Sequence, residues 1–127
     1  MQTLYTEEQE QFRDVVSRFL QAKSTAVDVR RLMESREGYD SAVWQQLCAE
    51  VGLAGTHIPE EYGGGGFGPV ELGIVSEEMG RFLYCGPFFA SSVMAGYALL
   101  NGATEAHKSS ILPNIASGAQ IATLVLD

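Results

Sequence analysis

The residues that could do chemistry crowd into one stretch, His57-Ile58-Pro59-Glu60-Glu61-Tyr62-Gly63-Gly64-Gly65-Gly66-Phe67-Gly68-Pro69. Gly63, Gly65 and Gly68 fit G-x-G-x-x-G, the pattern of a dinucleotide phosphate cradle. That cradle needs a buried hydrophobic strand before it and an acid about 20 residues later. Here a proline and two carboxylates stand where the strand should be, and Glu60 and Glu61 would repel a phosphate. No Gly-Lys-Ser/Thr follows, so a P-loop fails as well. The stretch reads instead as a fixed turn between two helical halves. Its consecutive glycines reach left-handed backbone angles freely. Pro59 pushes the preceding residues toward extended geometry, and Pro69 suits the first position of a helix.

The remaining candidates give no catalytic set. His57 has no serine or cysteine partner at a recognisable spacing, which nucleophilic catalysis requires. His107 falls at a helix beginning and is expected to be exposed. No cluster has metal-ligand spacing. Glu60, Glu61, Glu77 and Glu78 read as surface or capping carboxylates. A net charge of −8 argues against a nucleic-acid partner and against an anionic membrane surface. Cys48 and Cys85 read as reduced thiols serving as small core residues. The N-terminus carries neither a secretory signal nor an Arg-rich transit peptide, which makes the cytoplasm the expected compartment.

The elements that would position these residues are helical. Thr6 and Gln9 make a capping box, and Phe12, Val15, Val16, Phe19 and Leu20 follow the amphipathic spacing, predicting a helix from Glu7 to about Lys23. Val29, Leu32 and Met33 hint at a further turn or two. Asp40 or Ser41 caps a third helix, lined by Val43, Leu47 and Val51 and ended by Gly52. After the glycine turn, Leu72, Val75, Met79 and Phe82 form a stripe, with Glu71, Glu77, Glu78 and Arg81 mostly off it. Gly73 and Gly80 would let another helix approach closely. Residues 82–104 carry no charged side chain, yet Gly86-Pro87 and scattered polar residues leave too short a run to span a bilayer. Phe88–Asn101 is therefore expected to be a central helix buried on all sides, with Gly102 as its C-cap. Thr104 caps a final helix that Pro113 should kink and Gly118 should end. Ile121–Leu126 is a β-rich apolar run, which cannot be stable as a lone strand.

Two of these segments carry a resemblance. Pro59-Glu60-Glu61-Tyr62-Gly63-Gly64 resembles the "PEEYGG" signature of acyl-CoA dehydrogenases. Gly102-Ala103-Thr104-Glu105-Ala106-His107-Lys108, continued by Leu112-Pro113-Asn114-Ile115-Ala116-Ser117-Gly118, resembles that family's "GTEEQK…LPxLASGE" segment. The likeness runs over essentially the whole chain. It implies an all-α bundle of about five to six helices over residues 1–118, with 119–127 starting a middle β-domain. It further implies a flavoenzyme that removes the α-proton of an acyl-CoA thioester with a C-terminal glutamate and passes the β-hydride to FAD. Electrons would leave to an electron-transferring flavoprotein, from a homo- or heterotetramer. By this resemblance the base and most of the FAD site lie outside the chain, so the fragment alone is expected to be inactive. Phe89, Ala90, Val93, Met94 and Tyr97 would line the acyl pocket. Leu124 and Leu126 would pack at the flavin edge. Asp127 stands where the family's "ALTEP" threonine falls, and a carboxylate there would disfavour the anionic reduced ring. That departure keeps two alternatives open: a non-catalytic scaffold subunit of a heteromeric dehydrogenase, and a same-fold flavin oxidase or monooxygenase.

Overall fold

The structure, a computed structural model, describes residues 4–127. Helix α1 spans Glu7–Lys23, α2 Ala26–Glu34 and α3 Ser41–Ala49. Two single 3₁₀ turns follow, Leu53–Gly55 and Glu60–Tyr62. Then come α4, Pro69–Arg81, a π-helix over Phe88–Ala95 that runs on into α5, Gly96–Gly102, and α6, Glu105–Ser117. Among the described residues there are six α-helices and no strand.

The helix starts are set by local chemistry. The Thr6 hydroxyl accepts the Gln9 N–H at 3.1 Å while Gln9 Oε1 accepts the Thr6 N–H at 2.9 Å, satisfying donors that a helix start leaves free. Thr25 and Asp28 repeat the device on α2. Asp40 Oδ1 caps α3 through the Ala42 and Val43 N–H groups. Pro69 opens α4, and Thr104 caps α6. Gly118, at φ 82°, closes α6 in the left-handed conformation.

Two apolar clusters hold the helices. The larger joins Val16 and Leu20 of α1, Trp44 and Leu47 of α3, Leu53, and Leu72, Val75 and Met79 of α4, with Phe88 of the π-helix. The smaller packs Ile58 and Tyr62 against Leu112, Ile115 and Ala116 of α6. Fully burying side chains of this size contributes about 1.5–3 kcal/mol each, which outweighs the modest helix propensity of these short segments.

Five expectations are corrected. The first concerns Ile121–Leu126, which forms no strand: nothing among the described residues pairs with it, and Val125 and Leu126 are exposed. Second, the segment from Phe88 is not buried all round. Its first eight residues form a π-helix, Phe89 lies 64% exposed, and the C-cap of α5 is Ala103, not Gly102. Third, no atom beyond the adjoining residues and backbone of α4 itself would lie within 4 Å of a Cβ at Gly73 or Gly80, so no helix packs closely on that face. The fourth is Glu78, only 2% exposed. Arg13 of α1 reaches its Oε1 at 2.9 Å and Arg81 its Oε2 at 3.5 Å. This ion pair clamps α1 to α4, and it draws Glu78 inward because a buried carboxylate is tolerable only when partnered. Last, Cys48 is a core residue as expected, whereas Cys85 is half-exposed.

Candidate functional site

The glycine stretch folds as a closed turn. The Gly63 N–H donates to Glu60 O, Gly64 to Pro59 O, Gly65 to Gly55 O, Gly66 to Ile58 O and Phe67 to Thr56 O, all between 2.8 and 3.1 Å. The Gly68 N–H donates to Glu71 Oε2 at 3.2 Å. Every donor that could cradle a phosphate is thus already bonded, so the G-x-G-x-x-G match carries no anion site. Gly64 is required sterically, since a Cβ there would stand 1.9 Å from Ile58 O. The Phe67 ring stacks on Phe12 at 5.7 Å and fixes the turn to α1.

His57 lies beneath this turn, 6% exposed, and neither ring nitrogen has a hydrogen-bond partner. Its ring leans on Tyr97 at 4.7 Å, and a Cβ on Gly96 would come 3.2 Å from its Nε2. Burial pushes its pKa down, which the nearby Ser92 backbone only partly opposes, in a geometry that makes no hydrogen bond. A neutral imidazole without an orienting partner is packing, not catalysis. Glu60 and Glu61 are exposed, as is His107. Tyr62 donates to Glu105 Oε1 at 2.5 Å, and this bond, with lesser help from burial, pushes the phenol up to about 12. Among the described residues no group of His, Cys, Asp and Glu is arranged to hold a metal.

The best-formed concavity is apolar. It is a groove of about 590 Å³ between α2, the C-terminal end of α4 and the start of the π-helix. Val29 and Met33 line one wall, Met79 and Leu83 another, and Phe88 and Phe89 the third. The backbone turns sharply here: Leu83 sits at φ 52°, a conformation of order 1–3 kcal/mol uphill for a branched side chain. One local and one tertiary bond hold it there: the Tyr84 N–H donates to Met79 O at 2.9 Å, and Ser24 Oγ donates to Phe82 O at 3.0 Å. No carboxylate or histidine lines the groove, whose polar side chains are Ser76, Tyr84 and Cys85, so its lining suits an apolar group and lacks the carboxylate base of a proton abstraction.

The structure brings one of the five sequence candidates, Phe89, to this groove. Val93 and Tyr97 pack against the larger cluster, and Ala90 and Met94 are half-buried on the same helical segment. Leu124, Leu126 and Asp127 lie on the exposed tail and do not line the groove. Sequence reasoning missed Val29, Met33 and Leu83 as lining residues. The first two were visible as helical periodicity, but their meeting with Leu83 and Phe89 depends on long-range packing that periodicity does not report.

Comparison with known proteins agrees with the fold and extends it. Residues 6–119 match the model of the acyl-CoA dehydrogenase N-terminal domain. The acyl-CoA dehydrogenase IpdE2 of Mycolicibacterium smegmatis is 37% identical over 123 residues, which cover 96% of this chain and 38% of that protein. The mitochondrial isovaleryl-CoA dehydrogenase of Pongo abelii is 32% identical over 124 residues, covering 95% of this chain and 29% of that one. Among solved structures, the ChsE4-ChsE5 complex from Mycobacterium tuberculosis superposes with a TM-score of 0.86 at 27% identity, over 97% of this chain and 34% of that one. The steroid acyl-CoA dehydrogenase variant Tcur3481-Tcur3483 gives a TM-score of 0.83 at 26% identity, over 92% of this chain and 32% of that one. The chain thus spans 38% of the first of these curated relatives and 29% of the second. Helix order, the self-bonded glycine turn and the matched span lead to one conclusion: the chain belongs to the acyl-CoA dehydrogenase family, as an N-terminal helical domain.

Proposed function

We propose that this domain supplies one wall of the acyl pocket in a flavin-dependent enzyme that desaturates an acyl-CoA thioester. The observation that carries the reading is the apolar groove with Phe89 exposed at its edge. A half-open apolar groove is what a wall contributes before the facing wall is added. The α-proton base is expected in the rest of the enzyme, since no carboxylate or histidine lines this groove. Two of the relatives are a steroid acyl-CoA dehydrogenase and a complex of two differently named subunits. They favour a bulky sterol-derived acyl group and a heteromeric assembly for this chain.

Residues 119–127 we read as the start of a following β-domain. Leu124 and Leu126 are exposed and apolar, which suits the flat edge of a flavin ring. FAD, when bound, supplies the acceptor for the β-hydride. Leu124 and Leu126 would exclude water from one edge of it. Asp127 favours a second reading, that of a supporting subunit whose partner carries the working flavin, because its charge opposes that of a reduced anionic ring.

The test uses the full-length protein, expressed with and without any subunit encoded beside it, assayed for flavin absorbance and for acyl-CoA oxidation with an artificial electron acceptor. Flavin-dependent oxidation by the full-length protein alone supports the first reading. Oxidation that needs the partner, with no flavin in this subunit, supports the second. No turnover of any acyl-CoA in either preparation overturns both. Residues 1–127 alone are expected to turn over nothing.

A further inference from the structure

The π-helix carries two consecutive serines, Ser91 and Ser92, both fully buried. A π turn holds one residue more than an α turn, so successive side chains can both face inward. The two hydroxyls go to different places. Ser92 Oγ donates to the Ala54 carbonyl in the first 3₁₀ turn, a bond within the domain. Ser91 Oγ accepts the N–H of Ala122, 31 residues away, at 3.0 Å.

That second bond is the last one holding the tail. After α6 the Gln120 N–H donates to Asn114 O at 3.1 Å, and Asn114 Nδ2 donates to Gln120 Oε1 at 3.0 Å. Ala122 then packs against the smaller cluster while its N–H meets Ser91. Beyond it residues 123–127 are exposed and make no hydrogen bond to any described residue. Phe89, which edges the groove, lies two residues before Ser91 on the same π-helix.

We propose that Ser91 is a positioning residue: by holding the Ala122 N–H, its hydroxyl fixes the point from which the tail departs, and so sets the spacing between the groove wall at Phe89 and the tail residues Leu124 to Asp127. The inference rests on the reading that this tail borders the flavin while the groove holds the acyl group. A hydride passes only between atoms held at near-contact distance, so a displacement of the tail lowers the rate more than it weakens acyl binding. Ser92, of equal burial but bonded inside the domain, has no such effect.

The test compares Ser91→Ala, Ser92→Ala and Ala122→Pro in the full-length flavoprotein. Ala122→Pro removes the same bond from the tail side and leaves the Ser91 hydroxyl in place. Ser91→Ala and Ala122→Pro are each expected to lower kcat about tenfold, the factor equivalent to one ordinary hydrogen bond, with KM for the acyl-CoA within about twofold. The flavin absorption band should shift in both. In Ser91→Ala the Ala122 amide should exchange with solvent at least about tenfold faster. Ser92→Ala should lower the melting temperature and leave kcat and the flavin band unchanged. Equal losses of kcat in Ser91→Ala and Ser92→Ala, or unchanged Ala122 exchange in Ser91→Ala, would overturn the proposal. A wild-type holoprotein with no turnover sinks the functional reading instead, and the exchange comparison still decides whether Ser91 holds the tail.

Discussion

Replacing Arg13 with alanine tests the clamp between α1 and α4. The Glu78 carboxylate is 2% exposed, with Arg13 at 2.9 Å and Arg81 at 3.5 Å. Unit charges 2.9 Å apart attract by roughly 6 kcal/mol at an effective dielectric of about 20, most of it offset by the desolvation of both ions. Truncating Arg13 removes the attraction but leaves the carboxylate in place, and such breaks cost about 3–5 kcal/mol. Two features reduce the figure: the Arg13 side chain keeps 16% of its exposure, and Arg81 remains as a partial partner. The expected loss is about 2–3 kcal/mol, which for a domain of this size lowers the melting temperature by roughly 10 °C. The double variant Arg13→Met, Glu78→Met removes both charges and fills the space with apolar atoms. It should recover most of the loss, to within about 1 kcal/mol of wild type. Urea denaturation followed by circular dichroism, at fixed pH and ionic strength, measures all three proteins. An Arg13→Ala variant within about 0.5 kcal/mol of wild type, or a double variant no more stable than the single, would refute the reasoning.

Three further outcomes follow from particular contacts. Gly64→Ala, which forces a Cβ onto Ile58 O, should cost more than about 3 kcal/mol or give no soluble protein, while Gly73→Ala, with open space around it, should stabilise by about 0.5–1 kcal/mol; equal effects in a denaturation series would contradict the packing described. The pKa of His57 lies below the ordinary 6.5 in the folded chain, so the unfolded chain takes up that proton first, and stability present above about pH 6.5 is lost progressively below it. The melting temperature should therefore fall between pH 7.5 and 5.5 with a smaller slope in His57→Gln, and identical slopes would exclude the burial argument. Burial pushes the Cys48 thiol up to about 12 and leaves Cys85 half-exposed, so iodoacetamide at pH 8 should modify Cys85 first and Cys48 only on unfolding, as read by mass spectrometry.

What the sequence disclosed was local. Thr6 with Gln9, Asp40, Pro69, Thr104 and Gly118 each act on backbone groups within a few residues, and each acts as its residue type dictates. The glycine run was legible as a turn because the residues before it could not be a buried strand. What stayed hidden depends on distant partners. Glu78 looks like a surface carboxylate until Arg13, 65 positions earlier, is packed beside it. The π-helix has no pattern of its own, since an apolar run with two serines fits an α-helix equally well; the widening accompanies the bonds of Ser91 and Ser92 to separate segments. The groove was half legible, with Phe89 named and Val29, Met33 and Leu83 not. The apolar run at 121–126 has the composition of a strand, and a strand exists only where another backbone accepts it, which no described residue does.

The amide donors of the turn at residues 63–68 are answered by the backbone of residues 55–60 and by Glu71, and this frees its outer surface. Among the described residues the Glu60 and Glu61 carboxylates make no hydrogen bond or ion pair, so they can be exchanged for neutral residues of similar length while the loop stays put. Chemical handles, fluorophores or a binding epitope attached at those two positions would ride on a rigid mount whose orientation does not depend on what it carries.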